Sequence, residues 1–171
     1  SHYIPIVIRQ LFFYAILLAT TASYAQNRVA FSKLVKEADG LYYYNGEPYS
    51  GETLLLWPED NKPMQRIDWK NGQIDGLFRS WYADGKEDQI IHYEEGERHG
   101  EFRTFYSNGA PEVHCRYQEG VLDGDYVSHY VNGTVKKRVK FVNGKENAPS
   151  LLYCSNSEKE PDIIYKDSKP V

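Results

Sequence analysis

Apolar and polar residues alternate with a period of two through the middle of the chain. This spacing places successive side chains on opposite faces and predicts β-strands. Between two such runs stands Asn108-Gly109, a dipeptide typical of a hairpin with a type I′ turn. We therefore expect strands before and after this turn to pair as a β-hairpin.

The alternating pattern itself repeats every 24 residues, which predicts an array of similar structural units. Each unit begins at a glycine. At fixed intervals after this glycine come an aromatic residue, a tyrosine, a turn dipeptide, a second aromatic residue and a second glycine. These units begin at Asp75-Gly76, His99-Gly100 and Asp123-Gly124, and an earlier unit, which shares the glycine and the second aromatic, begins at Gly51.

The repeat also predicts which residues pair across each hairpin. A two-residue loop at Asn108-Gly109 places Gly100 opposite Tyr117, and the same rule pairs Gly76 with Tyr93 and Gly124 with Phe141. We expect each aromatic ring to lie over its glycine and recover the packing that glycine lacks. Gly51 pairs with Trp69 in this scheme if the one extra residue of the first unit lies in the turn at 59–61.

The connections between hairpins are equally short, as in Glu94-Glu95-Gly96-Glu97, and leave no room for a crossover helix. The predicted fold is an all-β, single-layer antiparallel meander of tandem 24-residue hairpins, with about eight strands. The predicted organisation is a signal or anchor at 1–25, a lead-in at 26–38, the repeat sheet at 39–145 and a non-repeat tail at 146–171. Residues 41–49 look like a partial unit in front of the first complete one.

The recurring pattern Tyr-x-x-Gly-x-x-x-Gly-x-Phe-x-x-x-Tyr-x-x-Gly resembles the MORN repeat in its bacterial variant form, over roughly residues 39–145. Such variants occur in exported and antitoxin-like bacterial proteins. The resemblance implies a non-enzymatic scaffold, and lipid binding and dimerisation have been proposed for the family. An antitoxin or immunity-like protein that neutralises a toxin is the alternative that it implies.

Alternation divides the sheet into two faces of different chemistry. Face one is the predicted core and carries Phe78, Tyr82, Ile91, Tyr93, Phe102, Tyr106, Val113, Cys115, Tyr117, Tyr126, Tyr130, Val139 and Phe141. Face two carries cations and aromatic rings, and its strand centres show no carboxylate in the sequence pattern. The candidate partner-binding residues on face two are Arg79, Trp81, His92, Arg103, Phe105, His114, Arg116, His129, Arg138 and Lys140.

A single sheet does not cover its own apolar face, so something must lie on face one. The candidates are the curl of the sheet itself, the segment 29–35, the tail 151–154 or another protein.

The N-terminal residues predict export. Arg9 precedes the apolar run 11–19, and Ser23-Tyr24-Ala25 offers small residues before a cleavage point at Gln26. We expect a secretory signal removed after Ala25 and a protein of the periplasm or outer cell envelope, the alternative being an uncleaved membrane anchor. Membrane contact is then expected only through residues 1–25.

Bulk composition excludes several functions. The 171 residues carry a net charge of −4, which gives no bulk attraction for nucleic acid. The cysteines lie 39 positions apart and have no zinc spacing, so Cys115 is either a small buried apolar residue or a disulfide partner of Cys154.

No nucleophile, metal or phosphate-loop motif stands out, and each conspicuous residue has a twin 24 positions away. We expect no enzyme activity, no metal and no cofactor. The expected function is protein binding, as a scaffold or a subunit of an envelope assembly, with a homodimer as one arrangement. A glycan or cell-wall binder that uses Trp57, Trp69 and Trp81 is a further alternative.

Overall fold

The computed structural model describes residues 28–147 and 150–153, and the backbone of 165–166 and 169–170. Within these residues the chain is all-β, and its one helical element is a 3₁₀ turn. No described helix has the length and apolar character needed to cross a membrane. The predicted signal or anchor at 1–25 and the residue Cys154 lie outside the described residues.

Eight strands of six to nine residues form the body of the sheet. They are β5 (Gly51–Leu56), β6 (Pro63–Lys70), β7 (Gln73–Trp81), β8 (Glu87–Glu94), β9 (Glu97–Phe105), β10 (Pro111–Gln118), β12 (Gly124–His129) and β13 (Val135–Val142).

Shorter elements lie around this body. They are β1 (Arg28–Val29), the 3₁₀ turn Phe31–Lys33, β2 (Val35–Lys36), β3 (Tyr42–Tyr44), β4 (Glu47–Pro48), β11 (Val121–Leu122), β14 (Lys145–Glu146), β15 (Leu151–Leu152), β16 (Tyr165–Lys166) and β17 (Lys169–Pro170).

The long strands are neighbours in chain order, and each pairs antiparallel with the next. This arrangement confirms the expected all-β class and its antiparallel connections. The exception is β1, which runs parallel to β5 at the edge of the sheet. Strands β2, β3 and β4 form a separate three-stranded sheet, in the region that looked like a partial unit.

The predicted register is confirmed in all four hairpins. Gly51 pairs with Trp69 and Gly76 with Tyr93, while Gly100 pairs with Tyr117 and Gly124 with Phe141. The extra residue of the first unit does lie in its turn. The backbone N–H of Trp57 donates to the Lys62 carbonyl and leaves a four-residue loop, whereas the hydrogen bond from Tyr82 to Lys86 leaves three residues in the next hairpin.

The predicted type I′ turn at Asn108-Gly109 is wrong. Asn108 does not have positive φ, and the Tyr106 N–H bonds to the Ala110 carbonyl, which leaves a three-residue loop. A β-bulge between Pro111 and Val113 then adds one residue to β10. The pairs beyond this bulge, up to Gly100 with Tyr117, therefore have the predicted register. The Asn108 side chain favours this loop because its Oδ1 accepts a hydrogen bond of 2.9 Å from the Ala110 N–H.

A side chain at Gly100 would not meet the Tyr117 ring that stands opposite it. Gly100 has a φ of +89°, so a Cβ built there would meet His92 Cβ at 3.5 Å, and no Tyr117 atom is among its nearest neighbours. Across this bulge, three residues of β9 oppose His92 of β8. Glycine is needed here because the bulge imposes a backbone conformation that side chains disfavour.

Face one is covered at the N-terminal end of the sheet. Tyr49, Ile67 and Trp69 are buried there, and Val29, Phe31 and Leu34 pack against them. The Phe31 and Trp69 rings stack with their centroids 6.1 Å apart. The segment 29–35 therefore provides part of the expected cover.

The described tail residues Leu151 and Leu152 extend the sheet instead of covering face one. Leu151 and Leu152 pair with Arg138 and Lys137 of β13, so this segment extends the sheet at its edge. Farther along face one, Ile91, Cys115 and Val139 are buried, whereas the aromatic rings beside them are half-buried.

Candidate binding surfaces

The strand register aligns the face-two cations into one row across the sheet. Consecutive pairing joins Arg66, Arg79, Ile90, Arg103, His114, Val127 and Arg138, one from each strand between β6 and β13. Arginine is the most frequent residue of the row, and no carboxylate stands in it. The alternation of the sequence places these residues on one face, and the register between hairpins places them side by side.

The expectation that face-two strand centres lack carboxylates is wrong at Glu101, the middle residue of β9, and further acids lie near the ends of other strands. In the neighbouring row Glu52 pairs with Asp68, Glu101 with Arg116, and Asp125 with Lys140. Arg103 forms a salt bridge of 2.7 Å with Glu101. Face two therefore places a cationic row beside a row of mixed charge.

The ten candidate partner-binding residues of face two differ in their exposure and in whether another residue already pairs with them. His92, His114, Arg116, Arg138 and Lys140 are exposed, and the other five are half-buried. Within the described part of the chain, no salt bridge involves Arg79, Arg116, Arg138 or Lys140. The Nε of Arg79 and the Nδ1 of His129 are buried and have no hydrogen-bond partner among the described residues. Several cations of this surface are thus free to meet acidic groups.

Trp81, Phe105 and His129 occupy the same position in successive hairpins, where strand pairing shifts register next to the turn. His92, His114 and His129 do not converge. Among the described residues, no three histidine, cysteine or acidic side chains are placed to hold a metal ion.

Arg98 is a cation on face one that the sequence analysis did not single out. Its guanidinium lies 5.2 Å from the centre of the Phe102 ring and 5.4 Å from that of Tyr117. The pKa of Arg98 is raised above its ordinary value, chiefly by its hydrogen bond with Tyr93. The signal in the sequence was the departure from the repeat, because Ile74 and Leu122 stand at the equivalent positions.

A cleft at the turn edge of face one was also missed as a site. It has a volume of about 470 Å³ and lies where the hairpin β5–β6 meets the hairpin β7–β8. Trp57 and Trp81 both line it, together with Phe78 and Tyr82. Trp69, the third tryptophan of the predicted glycan set, lies elsewhere, since it is buried and its Nε1 donates to Thr53 Oγ1 at 2.8 Å.

Cys115 is a buried free thiol with 2% of its surface exposed. Burial raises its pKa from 9.0 to about 11. Because the thiolate is the reactive form, this environment makes Cys115 inert at neutral pH.

No protein-family model matches this chain, and no curated protein matches it.

Proposed function

We propose that this protein is an exported, non-enzymatic scaffold of MORN-like 24-residue repeats that binds another protein through face two. The supporting observation is the row of Arg66, Arg79, Arg103 and Arg138 across the sheet. A continuous sheet holds these guanidinium groups at fixed spacing, and arginine forks suit carboxylates on a partner.

Aromatic side chains strengthen the proposal. Trp81 and Phe105 flank the row near the turn edge, and both are half-buried. Rings beside arginines are typical of the residues that contribute most to protein–protein binding. The partner surface that fits is acidic and flat, and the proposed setting is an assembly in the bacterial cell envelope.

The test is a double charge reversal, Arg116→Glu with Arg138→Glu. Both side chains are exposed and free of salt bridges within the described residues. We expect the tagged full-length variant to lose the proteins that co-purify with the wild type from cross-linked membranes, as measured by quantitative mass spectrometry. The melting temperature should move by no more than a few degrees, because exposed charges contribute little to stability.

The control is Lys33→Glu with Lys145→Glu, which changes the net charge equally at two exposed positions away from the row. It should retain the partners. Equal loss of partners in both variants would show that bulk charge rather than face two governs binding, and full retention by the Arg116/Arg138 variant would reject the surface.

A further inference from the structure

The cleft between the first two hairpins lies at the turn edge of the sheet and differs in chemistry from the arginine row of face two, although Trp81 contributes to both. The rings of Trp57, Phe78, Trp81 and Tyr82 line it, and its volume is about 470 Å³. Mostly apolar clefts of several hundred Å³ that contain a few polar groups are typical of small-molecule sites.

Polar side chains lie among these rings. Ser80 Oγ donates a hydrogen bond of 2.8 Å to Asp88 Oδ2, which fixes that carboxylate. Gln65 and Gln89 also line the cleft, and neither amide is hydrogen-bonded within the described part of the chain. Each free amide offers two N–H donors and one carbonyl acceptor to a ligand.

Trp57 differs from its counterparts in the other hairpins. Its indole Nε1 is buried and has no partner among the described residues. The next three hairpins have tyrosine at this position, and each tyrosine hydroxyl donates to a backbone carbonyl of the following segment. The Trp57 Nε1 is enclosed by protein, so Trp57 contributes its ring rather than its N–H to the lining of the cleft.

From these contacts we propose that the cleft binds a neutral sugar ring. Aromatic faces pack against the C–H face of a pyranose, while amides and a carboxylate exchange hydrogen bonds with its hydroxyl groups. The lining residues include one carboxylate and no cation, so the cleft opposes phosphate, sulfate and acidic sugars.

The architecture favours a sugar over a peptide. An extended peptide binds most readily along a free sheet edge, where it gains backbone hydrogen bonds. The strand residues that line the cleft come from β6, β7 and β8, which are all interior strands with a neighbour on both sides, and Trp57, Tyr82 and Ala83 come from the turns. Recognition here must therefore come from side chains.

Equivalent positions in neighbouring hairpins suggest substitutions that should leave the fold intact. Tyr82 stands at the position of Trp57 one hairpin later, and Val113 stands at the position of Gln89. Trp57→Tyr and Gln89→Val therefore replace each cleft residue with one that the same sheet already accommodates. The control is Tyr126→Phe, which introduces the residue found at that position in the preceding hairpin, Phe102, outside both the cleft and the partner-binding set.

The experiment is NMR titration of the full chain with N-acetylglucosamine trimer, cellotriose and maltotriose. We expect at least one of these sugars to shift the Trp57 indole N–H signal with saturation. Trp57→Tyr and Gln89→Val should each weaken binding by about tenfold or more, and Tyr126→Phe should leave it unchanged.

Failure of all three sugars to bind at millimolar concentration would overturn the proposal. Sugar binding that is unchanged in both cleft variants would also overturn the proposal. A peptide that binds the cleft with saturation, when the sugars do not, would show that the ligand is a peptide instead. Since the face-two variants do not touch this cleft, the outcome is independent of the partner surface proposed above.

Discussion

Single residues in this sheet are constrained by backbone angle and by the space around them, and Gly72 combines both constraints. It has a φ of +79°, and a Cβ there would lie 2.9 Å from Leu41 Cβ and 3.0 Å from the Tyr42 carbonyl oxygen. Its N–H donates to the Tyr49 carbonyl at 2.8 Å and its carbonyl accepts from the Tyr42 N–H of β3 at 2.8 Å, so the turn docks on the three-stranded sheet. A side chain would therefore separate two parts of the fold.

Gly72→Ala should lower the free energy of unfolding by about 2 kcal/mol more than Gly96→Ala. Gly96 has a similar φ of +85°, but its nearest neighbours, Gln73 side-chain atoms, lie at 3.8 Å. The difference isolates the steric term, and urea denaturation of both variants measures it. Equal costs would show that the angle alone matters.

Cys115 should make stability depend on pH in the alkaline range. Because burial raises its pKa to about 11 in the folded protein, the unfolded chain loses the thiol proton first, near pH 9.0. The contribution of the protonated Cys115 thiol to the free energy of unfolding is therefore complete below pH 9.0 and is lost as the pH rises towards 11. Cys115→Val, which copies Val139 at the equivalent position, should show a shallower decline in denaturation experiments. Identical pH profiles would contradict the assignment to this thiol.

Neighbouring hairpins are joined at both turn edges by contacts that recur along the chain. At one edge Tyr82, Tyr106 and Tyr130 donate their hydroxyl groups to carbonyls at distances of 2.6 to 2.9 Å. At the other edge, the N–H of Gly96 donates to the Ile74 carbonyl, and Gly120 and Gly144 donate in the same way to Arg98 and Leu122. The repeated residues thus include those that fix one hairpin to the next.

Tyr106→Phe should cost about 1 kcal/mol, because the carbonyl of His129 loses its donor. Tyr126→Phe is the matched control, since Phe102 already occupies that position one hairpin earlier. Its hydroxyl group forms no hydrogen bond within the described residues, so its loss should be close to neutral. Thermal and urea denaturation compare the two, and a larger loss for Tyr126→Phe would contradict this account.

The two ends of the whole sheet are capped in different ways. At the N-terminal end, residues 29–34 fold over face one and bury Trp69. At the C-terminal end, β14 and β15 pair with opposite ends of β13 and cover its outer edge. Both devices limit the exposure of apolar surface or unpaired backbone that the ends of a repeat sheet would otherwise leave.

Phe31→Ala should lower the free energy of unfolding by about 2 kcal/mol, because its ring packs on Trp69 and Tyr42. Val35→Ala in the same segment is the control, since Val35 is 57% exposed. Urea denaturation followed by tryptophan fluorescence measures both. A negligible effect of Phe31→Ala would mean that the lead-in does not stabilise the sheet.

Local and nearest-neighbour information was sufficient to predict much of the fold. Period-two alternation and fixed turn spacing placed the strands, and they paired Gly100 with Tyr117 and Gly51 with Trp69 correctly. A hairpin's register depends on its own loop and the residues that flank it, all of which are close in sequence. Even the wrong turn type at Asn108 left the register correct, because the loop and the bulge offset each other.

What the sequence by itself determined, then, was the order and antiparallel direction of the eight long strands and the register within each hairpin, together with most of the sorting of side chains between faces. Only the tertiary structure decided which face-two cations align, that Glu101 lies among them, and what covers Trp69. It also brought Trp57 and Gln65 of the first hairpin together with Trp81, Asp88 and Gln89 of the second. The physical reason is that these relations depend on packing between hairpins and on the bulges that redirect side chains, which alternation within one strand does not encode.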